Sequence, residues 1–191
     1  MRIVGGKHKR RPLKALPSKD IRPTSDRARE AIFNVLEHGI HDFAIDGAVA
    51  LDIFAGTGAL GLEALSRGAK HACFIDSDPR AIKCIRENAG QVGEARNVTI
   101  LKLDAVNLPP PPLAAQAPCN LVFLDPPYQS GLDKSNLAAD ALQSLRAQAW
   151  IGAGSLCIVE VPAKEPFSPP KDFEELDRRN YGAAQVVFLK L

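Results

Sequence analysis

Along most of the chain, short apolar runs alternate with stripes of apolar residues at the helical period. The first stripe, Ala28, Ile32, Val35 and Leu36, predicts a helix from about Thr24 to Glu37. Pro23 bars helix just before it, Thr24 or Ser25 can cap it, and Gly39 can end it. AVALDIF (48–54) then precedes a helix near 58–67 that Gly68 stops. HACFID (71–76) precedes a helix near 78–90, opened by Asp78-Pro79 and closed by Gly90. NVTILKLD (97–104) leads into a loop where Pro109 to Pro112 exclude helix. NLVFLD (120–125) precedes a helix near 133–148, and SLCIVEV (155–161) is the fifth run. This alternation predicts an α/β fold: a mostly parallel sheet with helices on both faces. The tail FEELDRRNYGAAQVVFLKL carries two strand-like runs around Gly182 with no helix between them. It predicts a C-terminal antiparallel hairpin at the sheet edge, bringing the strands to seven. Residues 1–22, with Gly5-Gly6, Pro12 and Pro17, predict an extended arm or a small hairpin. The chain thus divides into an arm and leading helix, 1–45, and an α/β domain, 46–191.

Charge sharpens that division. The net charge is +2, yet residues 1–30 hold ten basic side chains against Asp20, Asp26 and Glu30. A basic arm on a mildly acidic body suggests a polyanionic partner. Such an arm is expected to be removable with little change in cofactor affinity. No apolar run reaches the ~18–20 residues that cross a bilayer, and MRIVGGKHKRR has no signal-peptide core. The expected location is cytoplasmic. Cys73, Cys84, Cys119 and Cys157 are scattered, and neither Cys nor His clusters at ligand spacing, so no metal site is expected.

Gly56-x-Gly58-x-x-Gly61 spells the dinucleotide-binding fingerprint, and Asp76 lies at the usual distance beyond it. Asp52, just before the turn, speaks against a pyrophosphate: two unit charges at ~4 Å repel by about 4 kcal/mol at an effective dielectric near 20. S-adenosylmethionine carries a net positive charge, so Asp52 can attract its ammonium. Asp76 can accept the ribose hydroxyls and Asp104 the adenine amino group; the ribose role serves either cofactor. Asp52, Asp76, Asp104 and Asp125 all fall at or near the ends of apolar runs. In an open parallel sheet, ligands bind along that rim.

Asp125-Pro126-Pro127-Tyr128 follows the fourth run. The prolines stiffen the chain as it leaves the sheet and aim a carboxylate, carbonyls and an aromatic ring at one cleft. The Asp125 carboxylate and the Pro126 carbonyl can accept the two N–H groups of a planar exocyclic amine. That stabilises the positive charge developing on its nitrogen. Tyr128 can stack on the base and hold it in line.

LDIFAGTGALGLEALSRGA, LDPPY, MRIVGGKHKRRPL and RPTSDRAREAIFNVL together resemble the bacterial 16S rRNA guanine-N2 methyltransferases, the family named for guanine 966. DPPY is shared with DNA adenine-N6 methyltransferases; GGK followed by RPTSDRAREAIFN is far more specific. The resemblance implies a Rossmann-like class I S-adenosylmethionine-dependent methyltransferase fold, with 46–191 as the catalytic domain. It implies methyl transfer to the N2 of a guanine in 16S rRNA, within the small ribosomal subunit or its assembly intermediate; a monomer is expected. The candidate catalytic residues are Asp125, Pro126, Pro127 and Tyr128. The candidate cofactor contacts are Arg22, Pro23, Thr24, Asp52, Phe54, Ala55, Gly56, Gly58, Asp76, Asp104, Ala105 and Asp125. Arg2, Lys7, Lys9, Arg10, Arg11 and Lys14 would meet RNA. Two positions depart from the family's pattern: His8 stands where a larger aromatic is expected, and Asp76 where Glu is expected. The residues leave open a DNA adenine-N6 methyltransferase, a nicotinamide-dependent oxidoreductase and a non-catalytic RNA-binding assembly factor.

Overall fold

Strand β1 (Val49–Ile53) is buried on both faces, which is why its sequence is a nearly continuous apolar run. It lies third in a seven-stranded sheet of order β3-β2-β1-β4-β5-β7-β6. The other strands are β2 (His71–Asp76), β3 (Val98–Lys102), β4 (Cys119–Leu124), β5 (Ile151–Pro162), β6 (Glu174–Tyr181) and β7 (Ala184–Lys190). The first five pair in parallel, and β7 joins β5 and β6 antiparallel. This computed structural model describes residues 1–16, 26–40, 42–127 and 134–191; the candidate residues Arg22, Pro23, Thr24 and Tyr128 lie outside them.

The C-terminal hairpin folds as the sequence predicts, with its second strand inward. VVFL in β7 is fully buried, whereas EELDRRNY in β6 is exposed or half-buried along its length. The apolar strand therefore takes the two-sided position and the charged strand takes the edge, where charge deters pairing with other chains.

Among the described residues, four α-helices cover the sheet: α1 (Asp26–His38), α2 (Ala59–Ser66), α3 (Pro79–Val92) and α4 (Lys134–Ala147). Helices α1, α2 and α3 pack on one face through Ile32, Phe33, Leu62, Leu65, Ile85 and Ala89, against Phe74 and Phe123. Helix α4 packs on the other through Leu142 and Leu145, with Trp150 and Val187. Asp78 caps α3 by accepting the Arg80 N–H, and Pro79 occupies the first turn. This helix outruns its predicted end. Gly90 lies inside it, and Gly93, at φ 84°, closes it. Val92 is still part of the buried stripe with Ile85 and Ala89, so packing carries the helix past a glycine that propensity alone would have made its end.

Of the two forms open to residues 1–16, the hairpin is the one found. Arg2 bridges Pro12 antiparallel, and the Ile3 and Arg10 N–H groups donate to Arg11 O and Ile3 O. Ile3 and Leu13 are buried in the same core as α1 and α2. The hairpin docks on Glu63, a fully buried side chain of α2, whose carboxylate accepts the Val4 N–H (2.8 Å), the Gly5 N–H (2.7 Å) and Arg67 Nε (2.8 Å). Fully buried Arg29 brings Nε to 3.8 Å from the same carboxylate and donates to Arg2 O at 2.6 Å. The glycines permit this contact. Gly6 has φ +66°, and a Cβ there would fall 1.9 Å from the Ser66 carbonyl oxygen. Ile3 and Leu13 thus belong to the core, and truncating residues 1–16 would uncover apolar surface and strip two backbone donors from a buried carboxylate.

Three expectations follow. Glu63→Ala leaves two backbone donors and the Nε groups of Arg29 and Arg67 without their buried acceptor, and should cost about 3–5 kcal/mol in urea unfolding. Glu37→Ala removes only an exposed partner of Arg67 and should cost less than about 1 kcal/mol. Equal losses would contradict the central role of Glu63. Gly6→Ala, strained in φ and in collision with α2, should lower the melting temperature by several degrees.

Candidate active site

Strand register brings the candidate residues to one rim. Ile53 pairs with both Ile75 and Leu124, so Phe54, Asp76 and Asp125 follow at the same level on three neighbouring strands. The loop after β1 is tightly turned: φ is positive at Phe54 (58°), Gly56 (55°) and Gly58 (76°). Backbone bonds hold it, from Ala55 N–H to Ile75 O (3.2 Å) and from Gly58 N–H to Ala55 O (2.7 Å). Gly61 serves a different need. A Cβ there would lie 2.4 Å from Phe74 Cε1, so α2 approaches the sheet as closely as it does only because the side chain is missing.

Asp52 is 2% exposed, and its Oδ2 accepts the Gly61 N–H at 2.9 Å. Burial drives its pKa well above the ordinary carboxylate range; the Gly61 bond opposes this, and the charges of Asp125 and Asp76 reinforce it. Asp76 ends β2 and grips the loop: Oδ2 accepts the Gly56 N–H (2.8 Å) and Oδ1 the Asp78 N–H (2.9 Å). Burial raises its pKa too, against the pull of these bonds. Asp125, half-buried, is the first residue beyond β4, followed by buried Pro126 and exposed Pro127. Asp104 lies two residues beyond the end of β3. It is exposed and folds back on its own turn, accepting from the Val106 N–H (3.2 Å) and Asn107 Nδ2 (3.0 Å), with Ala105 buried beside it.

A glycine cradle flanked by mutually repelling, partly dehydrated carboxylates suits a cationic guest with hydroxyl and amine donors, and disfavours a pyrophosphate. S-adenosylmethionine fits this donor set. Among the described residues no cluster of His, Cys, Asp and Glu could hold a metal ion. The four cysteines are buried and free, and burial pushes the Cys119 thiol up to about 12, so none is a poised nucleophile.

Most candidate RNA contacts are engaged within the chain. Arg2 pairs with Asp26 (3.2 Å), Lys7 with Glu94 (2.7 Å) and Lys14 with Glu87 (3.0 Å). Arg11 donates to the Gln91 and Val92 carbonyls at the end of α3 (3.4 and 3.1 Å). Lys9 and Arg10 are exposed and pair with no described residue. His8 Nε2 lies 2.5 Å from Glu94 Oε1, where it fastens the hairpin to the chain beyond α3. Burial alone would raise the Glu94 pKa, but hydrogen bonds from Asn97, Lys7 and His8 pull it down to about 2.

Two residues of consequence escaped the sequence reading. Fully buried Asn88 on α3 donates to Thr57 O in the glycine loop (2.9 Å) and accepts the Lys14 N–H (2.8 Å), which ties loop to hairpin. Glu63 holds the hairpin from below, as described above. Each has the same faint signature, a polar residue within a helix's apolar stripe.

Residues 1–190 match the family model described as Conserved hypothetical protein 95. The chain is 37% identical over 161 residues to Ribosomal RNA small subunit methyltransferase D of Escherichia coli K12, covering 84% of this chain and 74% of that one. It is 32% identical over 192 residues to the protein of the same name in Haemophilus influenzae, covering 95% and 89%. Among solved structures it resembles the yhhF protein of Escherichia coli with a TM-score of 0.78 and 29% identity, over 100% and 97% of the two chains. An RNA methyltransferase from Salinibacter ruber, solved in complex with S-adenosyl-L-homocysteine, shares the fold at TM-score 0.61 and 18% identity, over 87% and 92%. The chain belongs to the Conserved hypothetical protein 95 family and has the class I S-adenosylmethionine-dependent methyltransferase fold.

Proposed function

We propose that this protein transfers a methyl group from S-adenosylmethionine to the exocyclic N2 of a guanine in small-subunit (16S) rRNA. The observation that carries the reading is the rim itself: Asp52, Asp76 and Asp125 crowd a glycine loop, and the Asp-Pro-Pro turn leaves the adjacent strand. Relatives named for small-subunit rRNA methylation, and a fold neighbour solved with S-adenosyl-L-homocysteine, support the same assignment.

The bound cofactor supplies an electrophilic methyl on a sulfonium. Everything else falls to the chain. Gly56 and Gly58 let the backbone approach the ligand, with Phe54 and Ala55 forming the near side of the turn. Asp76 keeps lone pairs free for ribose hydroxyls after accepting two backbone N–H groups. Its short reach is offset because the Gly56 bond draws the loop down onto it. Asp104 and Ala105 border the adenine side, and Arg22, Pro23 and Thr24 would close the pocket from ahead of α1. The Asp125 carboxylate and the Pro126 carbonyl accept the amine's N–H groups, localise its lone pair and stabilise the charge it develops. Tyr128 stacks on the base. The proton leaves after transfer, so no strong base is required. A guanine must be unstacked to present its N2 in this way, which favours a loop or bulge over a continuous helix.

Radiolabelled methyl transfer to small-subunit particles lacking the modification, followed by nucleoside analysis, should yield N2-methylguanine. Label in adenine, or none, would refute the reading. Asp125→Asn should lower kcat by about 100-fold or more while RNA binding persists; unchanged turnover would remove Asp125 from the chemistry.

Asp52 provides a pH test. Its folded-state pKa lies above the unfolded value. The proton it binds therefore stabilises the ligand-free fold at low pH, and this contribution is lost as pH rises through the elevated pKa. Asp52→Asn keeps an acceptor for Gly61 and removes the charge. The ligand-free variant should melt higher than the parent at pH 7, by a margin that narrows on acidification, and should bind S-adenosylmethionine at least about tenfold more weakly. Titration calorimetry showing equal affinity would exclude Asp52 as an electrostatic partner of the cofactor.

A further inference from the structure

The outer face of α3 continues the basic surface of the hairpin. Lys83 and Arg86 lie on that face, exposed, together with Gly90, and Arg96 follows just beyond the helix. None of the three cations has a carboxylate of a described residue within 4 Å, and Lys83 acts on Glu87 only through the field. The hairpin packs along the flank of α3 beside this face. Arg11 meets the α3 carbonyls of Gln91 and Val92, Gln91 Nε2 donates to Pro12 O, and Lys14 meets Asn88 one turn higher. Cys84 Sγ, a further turn up, donates to Lys14 O at 3.6 Å. The chain thus climbs α3 from its C-terminal end towards Pro79, the end beside Asp76 and the rim. From Val92 to Cys84 these contacts span about 12 Å of the helix.

The acidic groups along this path are already engaged. Glu87 is paired by Lys14, Glu94 by Lys7 and His8, and Asp78 by Arg80. Arg11 covers carbonyls at the negative end of the helix. Residues 1–16 carry six basic and no acidic side chains, and residues 78–97 carry four basic and three acidic. The surface therefore holds +7 on a chain whose net charge is +2, which leaves −5 for everything else. Nor does the surface offer an apolar anchor: among the described residues the exposed large hydrophobics are Leu113 and Leu176, both elsewhere. A polar, strongly positive strip with no apolar wedge fits a phosphate backbone better than a lipid surface.

We propose that Lys83 and Arg86 form the upper part of an RNA track that starts at Lys9 and Arg10 on the hairpin tip, passes up α3 and delivers the strand to the Asp125 rim. This deepens the rRNA reading above and rests on it. Internal pairing of Lys7 and Lys14 neutralises acids that would repel the strand; the unpaired cations contact it.

Fluorescence anisotropy with a labelled small-subunit rRNA fragment, titrated over a range of salt, tests this on the full chain. Lys83→Glu and Arg86→Glu should each weaken binding about tenfold or more at low salt. Each should also make the slope of log K against log salt shallower by about 0.7–0.9, the loss of one phosphate contact. S-adenosylmethionine affinity and melting temperature should stay at the parent's values, since both side chains are exposed. Lys171→Glu, an exposed reversal off the track, should change binding by less than about threefold. Equal losses in Lys171→Glu would reduce the effect to net charge, and parental slopes in both α3 variants would overturn the track. Failure of the unsubstituted protein to bind the fragment at any salt would instead overturn the rRNA reading itself.

Discussion

Helix α2 lies so close to the sheet that one methyl group on Gly61 would collide with Phe74. That approach brings the Gly61 N–H within 2.9 Å of Asp52 Oδ2 and sets the start of the helix directly over β1. The glycine loop must then turn through positive φ values to connect strand to helix. At the other end of α2, Glu63 and Ser66 are presented where the hairpin backbone can reach them. The rim and the hairpin are therefore positioned by the same helix. A change that lifts α2 from the sheet would open the glycine loop and loosen the hairpin together. The Asn88 side chain, bonded to Thr57 on one side and Lys14 on the other, closes the circuit from α3.

The carboxylate rim is costly for the empty protein. Burial of Asp52 and Asp76, and the repulsion among Asp52, Asp76 and Asp125, all act against ionisation. A fold selected only for stability would place an apolar residue at Asp52, because an Asp within a fully buried strand gains nothing from packing. The proposed cation turns that cost into affinity, since the ligand meets carboxylates that water solvates poorly. The same dehydration would make a pyrophosphate in this cradle more unfavourable than surface electrostatics suggests.

Much of the fold was legible because the parallel strands are buried on both faces and are read as apolar runs, with glycine and proline marking the turns. The order of β6 and β7 needed one further consideration, that VVFL suits a two-sided position and EELDRRNY does not. The end of α3 was misplaced because Gly90 is a plausible stop by propensity, whereas Ala89 and Val92 are held by the core. The candidate acids were legible at the ends of β2 and β4, where the apolar run and the strand stop together. Asp104 was less so, because β3 is an edge strand whose pairing gives out at Lys102 before the apolar pattern does. The intramolecular roles of Glu63 and Asn88 were hidden. A polar residue in a helical stripe is read as solvated unless the backbone that will satisfy it is known, and here that backbone is 58 to 74 residues away in sequence.

The basic N-terminal segment shows why charge composition alone misjudges an interface. Counted as a tail, its cations are equivalent; folded, they divide into two kinds. Lys7 and Lys14 lie on carboxylates and Arg11 on helix carbonyls, which orients the hairpin and erases negative potential along α3. Lys9 and Arg10 remain open to solvent. The exposed Lys14–Glu87 pair adds little to stability, so its value lies in the field it leaves behind. Each neutralised glutamate removes a charge that would repel a phosphate within a Debye length, about 8 Å at physiological salt. The hairpin thereby converts the mixed charge of α3 into a surface of one sign, continuous with its own. The proposed RNA strand would then be guided by the folded arrangement of hairpin and helix, which a detached basic tail with the same residues could not reproduce.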